Sequence, residues 1–146
     1  MTQEDKQLLI KDLCARLPYG VKIATYQYNY CDIITPKGIV GDRCYFNDNP
    51  RYDGDCSIDE VKPYLRPMSS ITEEEKKELK SATCPKGTGY FDEQYLICPM
   101  SHFGEYISYD FMSDILNWLN AHHFDYRGLI EKGLALEAPK DMYKTE

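Results

Sequence analysis

Long apolar runs are missing from this chain of 146 residues, and so is an apolar segment near its start. A helix that spans a membrane needs about 18 or more consecutive apolar residues, and no stretch approaches that length. The opening MTQEDKQLLIKDL is polar and charged where a secretory signal peptide carries its apolar region. The sequence therefore predicts a cytoplasmic protein that has no membrane partner.

Positive charge is scarce as well, because 17 Lys and Arg stand against 24 Asp and Glu, a formal net charge of −7 at pH 7. An acidic protein has no broad electrostatic field that attracts a phosphate backbone, so nucleic-acid binding would depend on a local basic patch. The sequence contains no such cluster of Lys and Arg. We therefore expect a protein partner and not nucleic acid.

Closely spaced cysteine pairs are also missing, although the chain has six cysteines. No C-x-x-C pair is present for a structural zinc ion, and only Cys98 and His102 have a spacing that resembles two zinc ligands. Cysteines of cytoplasmic proteins are usually reduced, and cysteine is among the residue types that are buried most often. We therefore predict buried or idle thiols without a metal or another cofactor, and a zinc site at Cys98 and His102 is the alternative.

No catalytic motif is complete in this sequence. Ser101 and His102 place a hydroxyl beside an imidazole, but no G-x-S-x-G elbow surrounds them. The KGT at 86–88 lacks the G-x-x-x-x-G-K-[ST] frame of a phosphate loop. The loop 49–60 matches part of an EF-hand pattern, but Arg51 occupies a position that requires a calcium ligand. The sequence thus assigns no catalytic and no metal-binding residue.

Tyrosine is abundant by contrast, with 13 residues in the chain. Tyrosine suits a strand that has one edge in water, which predicts strands, and it is also enriched in interfaces, which predicts a contact face. Both interpretations stay open for the tyrosines of the first half, which are Tyr19, Tyr26, Tyr28, Tyr30, Tyr45, Tyr52 and Tyr64.

Helical periodicity is clearest around the single tryptophan. A helix is predicted that begins after a cap at Ser108 or Asp110 and loses its pattern from Asn120. Its apolar face comprises Phe111, Met112, Ile115, Leu116, Trp118 and Leu119. A second short helix is predicted at 126–132, with Asp125 as its N-cap and Gly133 in the left-handed conformation that ends it. We expect Trp118 to cover a sheet, the imidazoles at 122–123 to be a solvated helix end, and 141–146 to be a loose tail.

Two further helices are predicted from capping boxes. Thr2 and Asp5 begin the first, and Thr72 and Glu75 begin a charged helix that continues over 73–80. The first helix has an apolar face made of Leu9, Leu13 and Leu17, and its Lys and Asp residues are expected on the solvent side. Between these helices the period changes to two, which predicts strands at 21–28, 30–35 and 39–46, the third of which returns to pair with the second.

Together these elements predict a single domain at 1–146 with an α+β fold. Its expected parts are an N-terminal helix at 1–20, a β meander at 21–65, a charged helix with irregular loops at 66–106, a helical corner at 107–140 and the tail at 141–146. The sheet is expected to be small and mostly antiparallel, or a partly open barrel, with the helical corner packed on it.

Three sequence blocks carry a resemblance to a known family. LLIKDLCARLPYGVKI, VKPYLRPMSS followed by TEEEKKE, and FDYRGLIEKGLALEAP resemble segments of a family of small hypothetical proteins from gut bacteria and their phages and mobile elements. The resemblance covers roughly 2–23, 61–78 and 107–143, and the family carries no assigned activity. It implies an accessory protein of phage or mobile-element type that binds a host or phage component.

From these features and this resemblance we predict a non-enzymatic interaction protein. Arginine can bind a carboxylate or a phosphate through two parallel hydrogen bonds, and tyrosine supplies contact area at small entropic cost. The predicted binding residues are Tyr64, Arg66, His102, Tyr126 and Arg127. Three alternatives stay open, namely local structural roles for both arginines, a small hydrolase-like enzyme with a Cys, His and carboxylate pocket, and a structural component of a phage assembly.

Overall fold

Helices and two open β-sheets make up the part of the chain that a computed structural model describes, residues 1–27, 30–46, 54–83 and 109–143. In this part the helices are α1 (Gln3–Arg16), α2 (Glu73–Thr83) and α3 (Tyr109–Ala121). The strands are β1 (Ile23–Gln27), β2 (Tyr30–Ile34), β3 (Gly38–Val40), β4 (Arg43–Tyr45), β5 (Asp55–Ser57), β6 (Val61–Leu65) and β7 (Leu136–Glu137). No helix among these residues is long and apolar enough to cross a bilayer. The predicted α+β class is confirmed.

The strands form two sheets where the sequence predicted one meander. The four-stranded sheet has the order β2-β1-β6-β7, in which β1 is antiparallel to β2 and β6, and β7 is parallel to β6. The three-stranded sheet has the order β3-β4-β5 and is antiparallel. Both sheets are open, so the described strands do not close a barrel.

The pairing predicted for the strand at 39–46 is wrong. This segment divides at Gly41, whose φ of +60° starts the two-residue turn of a hairpin between β3 and β4. β4 then pairs with β5 and not with β2. A period of two marks residues that alternate between faces, but it does not tell where the chain reverses, and the Gly41-Asp42 pair was the signal for that reversal.

Both predicted capping boxes are confirmed. The Thr2 hydroxyl accepts a hydrogen bond from the Asp5 amide at 3.0 Å, and the Thr2 amide donates to the Asp5 carboxylate at 3.4 Å. Thr72 and Glu75 form the same pair of bonds, each at 3.1 Å. These bonds satisfy backbone N–H groups that the first helical turn leaves without partners, so they fix where α1 and α2 begin.

The buried apolar side chains form two clusters. The larger cluster lies between α1 and strands of both sheets, and it includes Leu9, Leu13, Ile23, Cys44, Phe46, Cys56, Ile58 and Leu65. The smaller cluster joins α2 to α3 and comprises Leu79, Ile115, Trp118, Leu119 and Phe124. The helix predicted around the tryptophan is therefore confirmed, and it packs mainly on the charged central helix.

Trp118 is 8% exposed, but it does not cover a sheet as expected. Its ring stacks on Phe124 with centroids 5.7 Å apart, and its indole N–H donates to Glu78 of α2 at 3.3 Å. Leu116, which was expected to widen the buried stripe, is exposed. Leu79 of α2 is fully buried and packs with Trp118 in the smaller cluster, so the charged helix offers α3 an apolar contact.

The short helix predicted at 126–132 is wrong, since this segment is a series of turns. Gly128 has a φ of +74°, which interrupts a helix in its middle. The predicted end of the segment is nevertheless present, because Gly133 has a φ of +76° and its amide donates to Ile130 at 3.0 Å. The Leu134 amide donates to Leu129 at 2.9 Å, which completes a Schellman motif.

The expected loose tail is wrong for Tyr143, which docks between two strands. Its hydroxyl accepts from the Lys22 amide at 2.9 Å and donates to the Tyr64 carbonyl at 2.7 Å. Its ring stacks on His123 with centroids 3.8 Å apart. Burial raises the pKa of Tyr143 to about 12, so the hydroxyl keeps its proton for the bond to Tyr64.

Replacing Tyr143 by Phe should lower the free energy of unfolding by about 1–3 kcal/mol, because the ring stays while the two backbone groups lose a partner. Urea unfolding followed by circular dichroism measures the change. Tyr19→Phe is the matched control, since Tyr19 is exposed and should change stability by less than about 0.5 kcal/mol. Equal unfolding midpoints for both variants would contradict the docked hydroxyl.

Candidate functional site

The segment 123–127 after α3 lies against both β6 and α1. The Arg66 amide donates to the His123 carbonyl at 2.7 Å, and the Asp125 amide donates to the Arg66 carbonyl at 2.8 Å. From α1, the Arg16 guanidinium donates to the Phe124 carbonyl at 2.6 Å. These bonds hold the segment in place from two directions.

This segment brings together four of the five residues predicted to bind a partner. Tyr64 and Arg66 lie at the end of β6, and Tyr126 and Arg127 follow directly after the residues that bond to that end. The fifth, His102, lies outside the described residues, as do Cys84, Cys98 and residues 49–53 of the loop with the partial EF-hand pattern.

Arg127 belongs to a charged cluster that the sequence analysis missed. Arg16 donates from Nε to Asp12 at 2.8 Å and from Nη2 at 3.1 Å, and both side chains are 0% exposed. Arg127 donates from Nη1 to the same carboxylate at 2.8 Å. We call Asp12, Arg16 and Arg127 the arginine cluster; its one carboxylate faces two guanidinium groups, which leaves one positive charge in excess.

The solvent side expected for the Asp residues of α1 is therefore wrong for Asp12. Residues three and four apart share a helical face, so positions 9, 12, 13 and 16 form one stripe, and all four are fully buried. The signal was present in the sequence as an Asp and an Arg four residues apart, flanked by the two buried leucines. Such a spacing lets the two charges neutralise each other on the inner face.

Tyr126 holds the Arg127 side chain from a second direction. The Arg127 guanidinium lies 4.6 Å from the centre of the Tyr126 ring, and the Arg16 guanidinium lies 5.4 Å from it. The Tyr126 hydroxyl donates to the Asn120 side chain at 2.9 Å, which fixes the ring. The carboxylate of the neighbouring Asp125 accepts from the amides of 129 and 130 and is used within its own segment.

Arg66 has its guanidinium occupied within the fold. It donates from Nη1 and Nη2 to the two oxygens of Glu75 at 2.6 and 2.7 Å, and it lies 4.2 Å from the centre of the Phe124 ring. Burial raises the pKa of Glu75, but the bonds from Arg66 and Thr72 outweigh it and lower the pKa. Arg66 thus ties the start of α2 to β6 and to the smaller cluster.

The two histidines were expected to be solvated, and this is wrong for His123. His123 is 3% exposed and has a φ of +61°, which is uncommon for a residue with a side chain. Burial and the charge of Arg16 lower the pKa of His123 to about 4, so the ring is neutral at pH 7. His122 stacks on Trp118 with centroids 3.9 Å apart and donates from Nδ1 to the Trp118 carbonyl at 2.9 Å.

Two buried polar atoms near the cluster have no hydrogen-bond partner among the described residues. They are Nη1 of Arg16 and Nδ1 of His123. No group of three His, Cys, Asp or Glu side chains in the described ranges could hold a metal ion. What this region can do chemically, on the contacts described, is present a positive group in a fixed orientation.

Comparison of the chain with protein-family models, with curated proteins and with solved structures finds no match.

Proposed function

We propose that the chain is a non-enzymatic interaction protein of phage or mobile-element type that binds an acidic segment of a host or phage protein through Arg127. The phage or mobile-element origin rests on the three sequence blocks. The contact itself rests on one observation, the excess positive charge of the arginine cluster at a side chain that is held on two sides.

The charge around Arg127 favours an anionic partner. Asp12 already accepts two bonds from Arg16, so its carboxylate is largely neutralised before Arg127 adds a third bond. The Arg127 side chain is 18% exposed, and its Nε and Nη2 donate to no residue in the described part of the chain. A guanidinium edge with two parallel N–H groups is the geometry that a carboxylate fits.

The side-chain entropy of Arg127 also favours binding. An ordinary surface arginine loses much of its rotamer freedom when it binds a partner, and this loss weakens the contact. Arg127 has lost that freedom in the folded protein already, because Asp12 and the Tyr126 ring hold its guanidinium. Little of the free energy of a hydrogen bond between Arg127 and a partner carboxylate would therefore be lost to ordering the side chain. This favours Arg127 over an exposed lysine as the binding residue.

The acid and base side chains near Arg127 favour binding over catalysis. The acid and base side chains of this region serve the fold: Asp12 neutralises Arg16, Glu75 binds Arg66, and His123 is buried and neutral. A general base must reach the proton that it removes from a substrate, and none of these three groups is placed to do so. This supports a binding role.

The proposal is tested with the protein immobilised and exposed to lysate of the cells that carry its gene, followed by affinity measurement on the retained protein. Arg127→Gln should weaken binding about 10- to 100-fold, the equivalent of one charged hydrogen-bond pair. Asp12 keeps Arg16 as a partner in this variant, so the fold should persist. Binding by the unmodified chain should also weaken with salt, since the contact lies at the surface.

Lys132→Gln is the matched control, because it removes the same charge at an exposed position of the neighbouring turns. It should leave the affinity within about twofold of the unmodified chain. Arg127→Lys keeps the charge but not the two parallel N–H groups. Its affinity should fall between those of Arg127→Gln and Lys132→Gln. Equal losses for Arg127→Gln and Lys132→Gln would show a general charge effect and refute the site.

A further inference from the structure

Two cysteines face each other in the three-stranded sheet. Cys44 of β4 and Cys56 of β5 are direct partners in the antiparallel register, both are fully buried, and both are free thiols. Residues opposite each other in an antiparallel pair point to the same face of the sheet. The two thiols therefore share one site within the larger cluster.

The hydrogen bonds on either side define the geometry of this pair. The Phe46 amide donates to the Gly54 carbonyl at 2.7 Å, and the Ile58 amide donates to the Asp42 carbonyl at 2.8 Å. Along an antiparallel ladder, hydrogen-bonded pairs alternate with non-hydrogen-bonded pairs. The cysteine pair lies two positions from the bonded pair 46 and 54 and two positions from the bonded pair 42 and 58, so it is also a hydrogen-bonded pair. The Cα atoms of such a pair are about 5.5 Å apart, within the range of about 4.4–6.8 Å that a disulfide spans. Their Cβ atoms are also about 5.5 Å apart and must approach to about 3.5–4.5 Å, so the bond forms when β5 shifts toward β4.

We propose that Cys44 and Cys56 form an oxidisable dithiol, a modification site that closes to a disulfide by exchange with a low-molecular-weight disulfide. The thiolate of one cysteine attacks the reagent, forms a mixed disulfide and releases one reagent thiol. The second cysteine attacks the protein sulfur of this mixed disulfide and releases the other. Two electrons pass to the reagent, and the two thiol protons end on the two reagent thiols.

Cys56 is the residue that reacts first. It lies on β5, an outer strand of the three in this sheet, whereas Cys44 lies on the central strand. Burial raises the pKa of both thiols, to about 12 for Cys44 and to about 11 for Cys56. Low thiolate content makes the reaction slow, and it proceeds when the three-residue strand β5 opens locally.

The test uses the unmodified protein, incubated with glutathione disulfide in native buffer, alkylated and digested with trypsin without reduction. Trypsin cleaves after Arg43 and Arg51, so the two cysteines leave on separate peptides. We expect two peptides joined by a disulfide, one beginning at residue 44 and the other at residue 52, and we expect them to separate on reduction.

Cys14 supplies the internal control, because it is exposed and has no opposed cysteine in a strand register. It should be glutathionylated in the same digest, which shows that glutathione disulfide reached the protein. Cys44→Ala should leave Cys56 without a link to another peptide, and Cys14→Ser should leave the linked pair intact. Recovery of Cys44 and Cys56 as alkylated thiols while Cys14 is modified refutes the proposal, as does a link that forms only in urea.

Discussion

Replacing Asp12 by Ala should lower the free energy of unfolding by about 3–5 kcal/mol, the loss expected when one member of a buried ion pair is removed. Asp12 is fully buried and accepts three hydrogen bonds from the arginine cluster. Its removal leaves Arg16 as an uncompensated charge in the interior, where it cannot reach water. The remaining bond of Arg16, to the Phe124 carbonyl, does not replace the lost carboxylate.

Urea unfolding followed by circular dichroism measures this loss, and two variants show its origin. Asp114→Ala removes an exposed carboxylate from α3 and should change stability by less than about 0.5 kcal/mol. The double variant Asp12→Ala, Arg16→Met no longer has an unpaired guanidinium in the interior. It should therefore recover much of the free energy of unfolding that Asp12→Ala alone loses. If the double variant is as unstable as the sum of the single ones, the pair does not act through charge.

His123 should make the protein less stable in mild acid. Its pKa is about 4 in the folded protein and near the ordinary 6.5 in the unfolded chain. The unfolded chain therefore takes up the proton first as the pH falls, and stability that is complete above 6.5 declines toward 4. Between about pH 7.5 and about pH 5 the loss from this one group should be about 2 kcal/mol.

His123→Asn isolates this contribution, since asparagine tolerates the positive φ of +61° and does not titrate. Urea midpoints of both proteins, taken at several pH values in this window, should converge as the pH falls. Groups that surround His123, including Arg16, Arg66, His122 and the Tyr19 carbonyl, stay the same in both proteins. A constant difference between the two curves would show that His123 does not titrate with a lowered pKa.

Local signals in the sequence were sufficient for the starts of α1 and α2 and for the turn at Gly133. Thr2 and Thr72 bond to residues three positions away, and Gly133 acts within its own turn, so neighbouring residues decide these features. Gly128 shows the limit of this reasoning, because a left-handed glycine in the middle of the segment overrode the signals at both ends. The presence of a second glycine was visible, but its conformation depends on how the segment meets α1 and β6.

Contacts between distant residues were the part that the sequence did not supply. Arg127 pairs with Asp12 and Tyr143 bonds to Lys22, and in each case more than one hundred residues separate the partners. The sequence does not show which distant residue a charged group or a hydroxyl will contact. Several carboxylates also lie nearer to Arg127 along the chain than Asp12 does. The candidate site therefore had its surface residues predicted, Tyr126 and Arg127, while the buried residues that hold them were missed.

The smaller cluster contains the only indole of the chain, and this decides what an optical experiment detects. Emission from Trp118 will follow the contact between α2 and α3, whereas the sheets and α1 will contribute mainly through backbone ellipticity. The side chain of Arg66, which lies on Phe124 and bonds to Glu75, is one of the contacts that couple the two regions, so the two signals should change together while these contacts hold. Transitions that separate in the two signals would therefore identify the region that opens first.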